Sequence, residues 1–187
     1  MRLSRGTPGE LNRELMRLRQ APLTYRPVGV TLQENRVAEG HSVVLGQGEA
    51  TFRAARDALM GWTTHRAHWL RLVPTDAPPT EGQTVLVVLK VLGLCVSFGC
   101  RVVRVLDEQR RSGFAYGSLP GHPERGEELF LVEWHPDDRV SFRLRAVSRP
   151  ANLVYALGRP FGNFVRGLGT RQYLTSMQAA MPERMQR

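Results

Sequence analysis

From Thr7 to Gln20 the apolar residues Leu11, Leu15 and Leu18 recur at spacings of four and three, with arginines between them. A threonine able to cap and a proline at the first helical position precede them, so the pattern predicts an amphipathic helix. Between Leu23 and Gly48 that period is lost. Pro27, Gly29 and Gly40 punctuate short β-like pieces, and Ser42 to Leu45, running into Gly46 and Gly48, reads as strand then turn. From Glu49 the helical period returns, with Phe52, Ala55, Leu59 and Trp62 on one face, until Gly61 and Thr63-Thr64 end it. His68 to Val73 reads as a short strand stopped by Pro74, and the segment TDAPPTEG that follows is a loop by composition.

Beyond that loop the pattern becomes a meander. Thr84 to Val91, Cys95 to Asp107, Gly113 to Leu119, Glu127 to Trp134 and Arg139 to Val147 are strand-like, separated by short turn signals. The last alternates cleanly: Val140, Phe142, Leu144 and Ala146 on one face, Arg139, Ser141, Arg143 and Arg145 on the other, which predicts one buried and one wet face. From Ala151 to about Met181 a mostly helical tail carries Leu157, Phe161, Phe164, Leu168, Tyr173 and Met177, and its Gly158, Pro160, Gly162, Gly167 and Gly169 are expected to break or kink it.

The expected fold is therefore α+β: a curved antiparallel sheet of about six to seven strands packed on a long C-terminal helix, since a sheet with one apolar face needs a cover. This order resembles the helix-grip fold of START-like and Bet v 1-like proteins, where the sheet wraps the last helix and leaves a cavity; an unrelated α+β roll stays open. Length allows one core. We divide the chain into residues 1–22 as an amphipathic helix or arm, 23–181 as a single domain and 182–187 as a disordered tail.

Composition adds three constraints. The formal charge is +9 and Lys90 is the only lysine. Codon bias exchanges arginine for lysine but does not create a surplus of bases over acids, so the charge serves either solubility or an anionic partner such as nucleic acid or a lipid surface. Cys95 and Cys100, in an apolar run, are too few for a disulfide framework and read as buried, reduced thiols of a cytoplasmic protein. The N-terminus lacks the apolar stretch of a signal peptide, and Thr84 to Cys100, interrupted by Lys90, Gly93, Ser97 and Gly99, suits two buried strands better than a membrane span.

The densest local signal is GFAYGSLPGHPERGEE, residues 113–128, richer in glycine, proline and acids than a hairpin needs. Together with Tyr25 and Gly29, Gly46 and Gly48 followed by Phe52 and Trp62, the run from Phe142 to Pro150, and Arg171-Gln-Tyr-Leu174, it resembles uncharacterised protein family UPF0548 (domain of unknown function DUF1990), found in bacteria and plants, over roughly Leu23 to Leu174. The resemblance implies no reaction, cofactor or catalytic set, so candidate chemistry has to come from the residues.

His122 with Glu127 and Glu128 has the makings of a proton-transfer set for a small hydrolase or isomerase, set against a loop merely stiffened and capped by the same residues. Tyr116 shares a strand face with Phe114 and Ser118, pointing a phenol either into a cavity or into packing. Arg101 and Arg104 fall on opposite faces of one strand, so one of them is expected to meet a carboxylate or a bound anion. His65 and His68 lack a third metal ligand and read as solvent-exposed, no metal is expected, and the absence of a dinucleotide fingerprint or Walker lysine disfavours nucleotide cofactors. The leading expectation is non-enzymatic binding of a small apolar or amphipathic ligand, with Tyr116, Arg101, Arg104, His122 and Glu128 as contacts; the enzyme and the basic surface binding nucleic acid or anionic lipid remain as alternatives.

Overall fold

The computed structural model describes residues 1–33, 39–91, 93–153, 156 and 159–181, so the expected tail at 182–187 lies outside the described residues. In chain order the elements are β1 (Arg2–Ser4), α1 (Pro8–Leu18), β2 (Glu39–Gln47), α2 (Gly48–Met60), β3 (Leu70–Val73), β4 (Thr84–Val91), β5 (Leu94–Asp107), β6 (Arg111–Ser118), β7 (Glu124–Trp134), β8 (Arg139–Pro150) and α3 (Arg159–Ala179). Single 3-10 turns follow at Val30–Leu32 and Thr63–His65.

All strand pairs are antiparallel, in the order β2-β8-β7-β6-β5-β4-β3, and the sheet is curled. Its inner face carries Val85, Val87, Val102, Phe114, Phe130 and Phe142, packed under α2 and the C-terminal part of α3. Period-two alternation sends the intervening side chains outward. There Leu86 and Val88 meet Leu11 and Leu18 of α1, and farther along Ala115, Leu129 and Leu131 meet Leu32. This is a helix-grip fold, as the element order predicts.

The N-terminal residues join this architecture. Thr7 caps α1 reciprocally with Glu10, each accepting from the other's backbone amide, and Pro8 opens the helix where no intrahelical donor is needed. β1 pairs with β5 at Cys95–Ser97, while β6 pairs with β5 at Cys100–Asp107, so β1 continues the lane of β6. The pattern missed β1, since three residues carry too little alternation to register.

The glycines of the last helix behave differently from expectation. α3 continues through Gly162, Gly167 and Gly169. Glycine lowers helix stability by about 1 kcal/mol without forbidding the conformation, and a Cβ added at Gly167 or Gly169 would meet open space. Pro160 falls in the first turn, where its missing N–H costs no bond. Tyr173, Met177 and Met181, four apart, are buried, whereas Phe164 is 63% exposed and Leu168 41%. The second half of the helix thus grips the core, while Phe164 and Leu168 of the first half face solvent. Among the described residues no helix is long and apolar enough to cross a membrane.

Candidate functional site

Two consecutive acids on β7 diverge because successive side chains on a strand leave opposite faces. Glu127 goes outward, where it is 2% exposed beneath the segment from Thr24 to Leu32. Its carboxylate accepts from the Tyr25 hydroxyl at 2.6 Å, the Gly29 amide at 2.8 Å, and both the amide and hydroxyl of Thr31. Gly117 on the neighbouring strand makes this possible, because a Cβ there would overlap the Tyr25 ring. Glu127 is therefore a clasp for the outer strap, on the other side of the sheet from Glu128.

Glu128 goes inward. Its Oε2 accepts the Tyr116 hydroxyl at 3.0 Å, the His65 Nε2 lies a long 3.4 Å from that phenol oxygen, and the Thr64 hydroxyl is 2.9 Å from His65 Nδ1. One proton arrangement satisfies the chain: Thr64 donates to Nδ1, Nε2–H donates to Tyr116, and Tyr116 donates to Glu128. Tyr173 of α3 closes over the group, with its ring 4.8 Å from the His65 ring. Phe130 packs beneath both His65 and Tyr116, at 5.2 Å from each.

The environment sets the charges. Burial pushes the Glu128 carboxyl up to about 7, with the Tyr116 hydrogen bond and nearby Arg166 acting against the rise and Glu124 adding to it. Burial lowers His65 to about 3, so it is a neutral imidazole. Burial, then the adjacent Glu128 charge, holds the Tyr116 and Tyr173 phenols well above their ordinary value. Glu128 is thus the group of this set that titrates near neutrality, and it retains partial solvent exposure.

His65 corrects the expectation of solvent exposure, being 1% exposed. Trp62 adopts a left-handed backbone (φ 62°) at the end of α2, and the 3-10 turn that follows carries His65 beneath α3; His68, past the turn, is exposed as expected. Neither His65 nor Tyr173 was legible as part of a polar site, because an isolated histidine and a tyrosine on an apolar helical stripe give no sign of meeting.

The inner face changes character at Glu128. On one side of it the cross-strand row is Phe114, Phe130 and Leu144; on the other Gly126 pairs with Ser148, so closely that a Cβ there would meet the β8 backbone, and Ala146 lies beside Glu128 itself. Along α3, Phe164 and Leu168 fall on the solvent stripe shared with Gly167, Arg171 and Thr175, on the far side of the helix from Tyr173. Arg166 is paired with Glu124, which also accepts from the Ser148 hydroxyl at 2.8 Å. His122 sits in the β6–β7 loop with its Nδ1 3.0 Å from the Glu124 amide and its ring edge-on to Phe98; burial lowers it to about 4. It pairs with neither Glu127 nor Glu128.

The two arginines have other employment. Arg101 points outward, and its guanidinium donates to the carbonyls of Leu18, Arg19 and Ala21 at 2.7 to 2.8 Å, closing the C-terminal end of α1. Arg104 is solvent-exposed at 3.7 Å from Glu81, next to a register shift in β5 that breaks the simple alternation. Among the described residues no three histidine, cysteine or acidic side chains converge as a metal would require. A separate cleft of about 370 Å³ opens beside Trp62, between Asp57, Arg66 and Asp76.

Known proteins match this frame. A hypothetical protein of Helicobacter pylori superposes with a TM-score of 0.57 at 12% identity, covering 84% of this chain and 95% of that one. The crystal structure of Ara h 8.0201, a Bet v 1-like protein, superposes with a TM-score of 0.50 at 9% identity, covering 78% and 97%. At such identities the likeness speaks for the fold alone. In sequence, a UPF0548 protein of Deinococcus radiodurans is 32% identical over 182 residues, spanning 89% of this chain and 91% of that protein. The family described as domain of unknown function DUF1990 matches residues 24–176, from the strap that Glu127 clasps through the sheet and into the gripping half of α3, and the chain belongs to that family.

Proposed function

We propose that this protein binds a small amphipathic ligand between the inner face of the sheet and the first half of α3. One observation carries the reading: Glu128, a carboxyl with a single phenolic donor, stands on the apolar inner face beside Ala146 and keeps contact with solvent. A carboxyl on an apolar wall that solvent still reaches marks the mouth of a recess, and the wall beside it is made of aromatic rings. The apolar strip continues toward the β4–β5 hairpin, where Val91 and Leu94 are exposed. The aromatic half of the inner face is already filled by its own side chains, so the ligand is small, with its polar end at Glu128 and Tyr116 and its apolar body along α3.

Native mass spectrometry of freshly purified protein against its denatured mass, followed by thermal shift with medium-chain alcohols, tests this. A co-purifying species or a raised melting temperature, each lost on Ala146→Trp while the folded far-UV spectrum persists, is the expected result. Protein at its formula mass with no shift from any alcohol overturns the reading.

A further inference from the structure

A carboxyl group placed on an apolar inner wall calls for a counter-charge or a full set of donors. Glu127 shows what this chain does when it supplies the donors itself: four hydrogen bonds converge on one carboxylate. Among the described residues Glu128 receives one hydrogen-bond donor, the phenol of Tyr116, and Tyr116 in turn meets the neutral imidazole of His65. Arg166, whose charge reaches Glu128, is bound directly to Glu124. Glu128 also faces the small-residue end of the inner wall and keeps contact with solvent.

Resting on the ligand-binding reading above, we infer that the polar end of the ligand is a cationic amine, which gives Glu128 a direct charged partner beside the single phenol. A primary or secondary ammonium donates to the carboxylate in a charge-assisted bond, and its alkyl body extends along the inner wall beside Ala146. The overall surplus of positive charge sets no barrier at contact distance, since exposed charges beyond a Debye length of about 8 Å are screened at physiological salt.

The proton count makes the inference measurable. The groups facing Glu128 are Tyr116 from β6, Tyr173 and Arg166 from α3, Glu124 from β7 and Cys100 from β5, with His65 one contact further out. Around neutrality Tyr116, Tyr173 and His65 stay uncharged, and the Cys100 thiol is pushed well up by burial. An ammonium that requires ionised Glu128 therefore expels about half a proton per ligand at pH 7, and its affinity rises as pH goes from 6 to 8, for a carboxyl titrating at about 7.

Isothermal titration of decylamine, decanol and decanoate below their aggregation concentrations, in two buffers of different ionisation enthalpy, tests this. Decylamine is expected to bind about tenfold more tightly than decanol at pH 8, with proton release, and Glu128→Gln is expected to erase both the preference and the release while decanol still binds. Decanol binding as well as decylamine, or a preference that survives Glu128→Gln, overturns the amine inference and leaves the cavity standing; failure of all three probes overturns both.

Discussion

Glu127 and Glu128 are neighbours on one strand with the same carboxyl group, and the protein treats them in opposite ways. The outer one is enclosed by a strap whose Tyr25, Gly29 and Thr31 converge on it; the inner one is enclosed by aromatic rings and given a single phenolic donor. A carboxylate satisfied by its own chain holds structure together. One left short of partners weakens the fold when it ionises, and that cost is tolerated where a partner arrives from outside.

The strongest way to break this contrast is Glu127→Ala. It leaves the Tyr25 hydroxyl, the Gly29 amide and both donors of Thr31 without their acceptor, and is expected to cost about 3 to 5 kcal/mol in urea unfolding. Glu128→Gln goes the other way. The folded carboxyl titrates at about 7 against an ordinary 4.5, so the stability of its neutral form is fully present below 4.5 and is lost as pH rises through 7. Glutamine cannot ionise, and the variant is expected to exceed the wild type by about 2 kcal/mol near pH 8, with the gap closing by about pH 4.

Two smaller substitutions sharpen the comparison by removing one phenolic oxygen from each side. Tyr25→Phe leaves Glu127 with its remaining donors and is expected to cost about 1 kcal/mol by the same unfolding measurement. Tyr116→Phe removes the bond that favours ionised Glu128, so the Glu128 midpoint, followed by carbon NMR of the carboxyl, moves above 7 with little change in stability near pH 5.

The sequence carried the frame well wherever a period repeats often enough to be read. The alternation of Val140, Phe142 and Leu144 set the inner face of β8, and Thr7 with Pro8 marked the start of α1. What escaped depended on contacts between distant segments. Alternation puts Glu127 and Glu128 on opposite faces but does not say which face is covered by a strap drawn from residues about one hundred positions earlier. Arg101 gave the signature of a cation seeking an anion, yet three carbonyls at the end of α1 satisfy it, a solution visible only once the helix is seen to dock. His65 offered no pattern at all; a left-handed residue at Trp62 decides its burial, and positive φ at a tryptophan is not a choice that composition forecasts.

The packing of α1 against the outer face also bears on mechanics. β4 and β5 are sandwiched, with Leu86 and Val88 dry beneath α1 and Val85 and Val87 dry on the inner side, so this stretch of sheet is clamped from both directions and resists bending. α3 has no such second layer over Phe164 and Leu168, which face solvent. Stiffness is therefore concentrated in the β4–β5 wall, and a rearrangement elsewhere in the fold is expected to leave the curve of that wall in place.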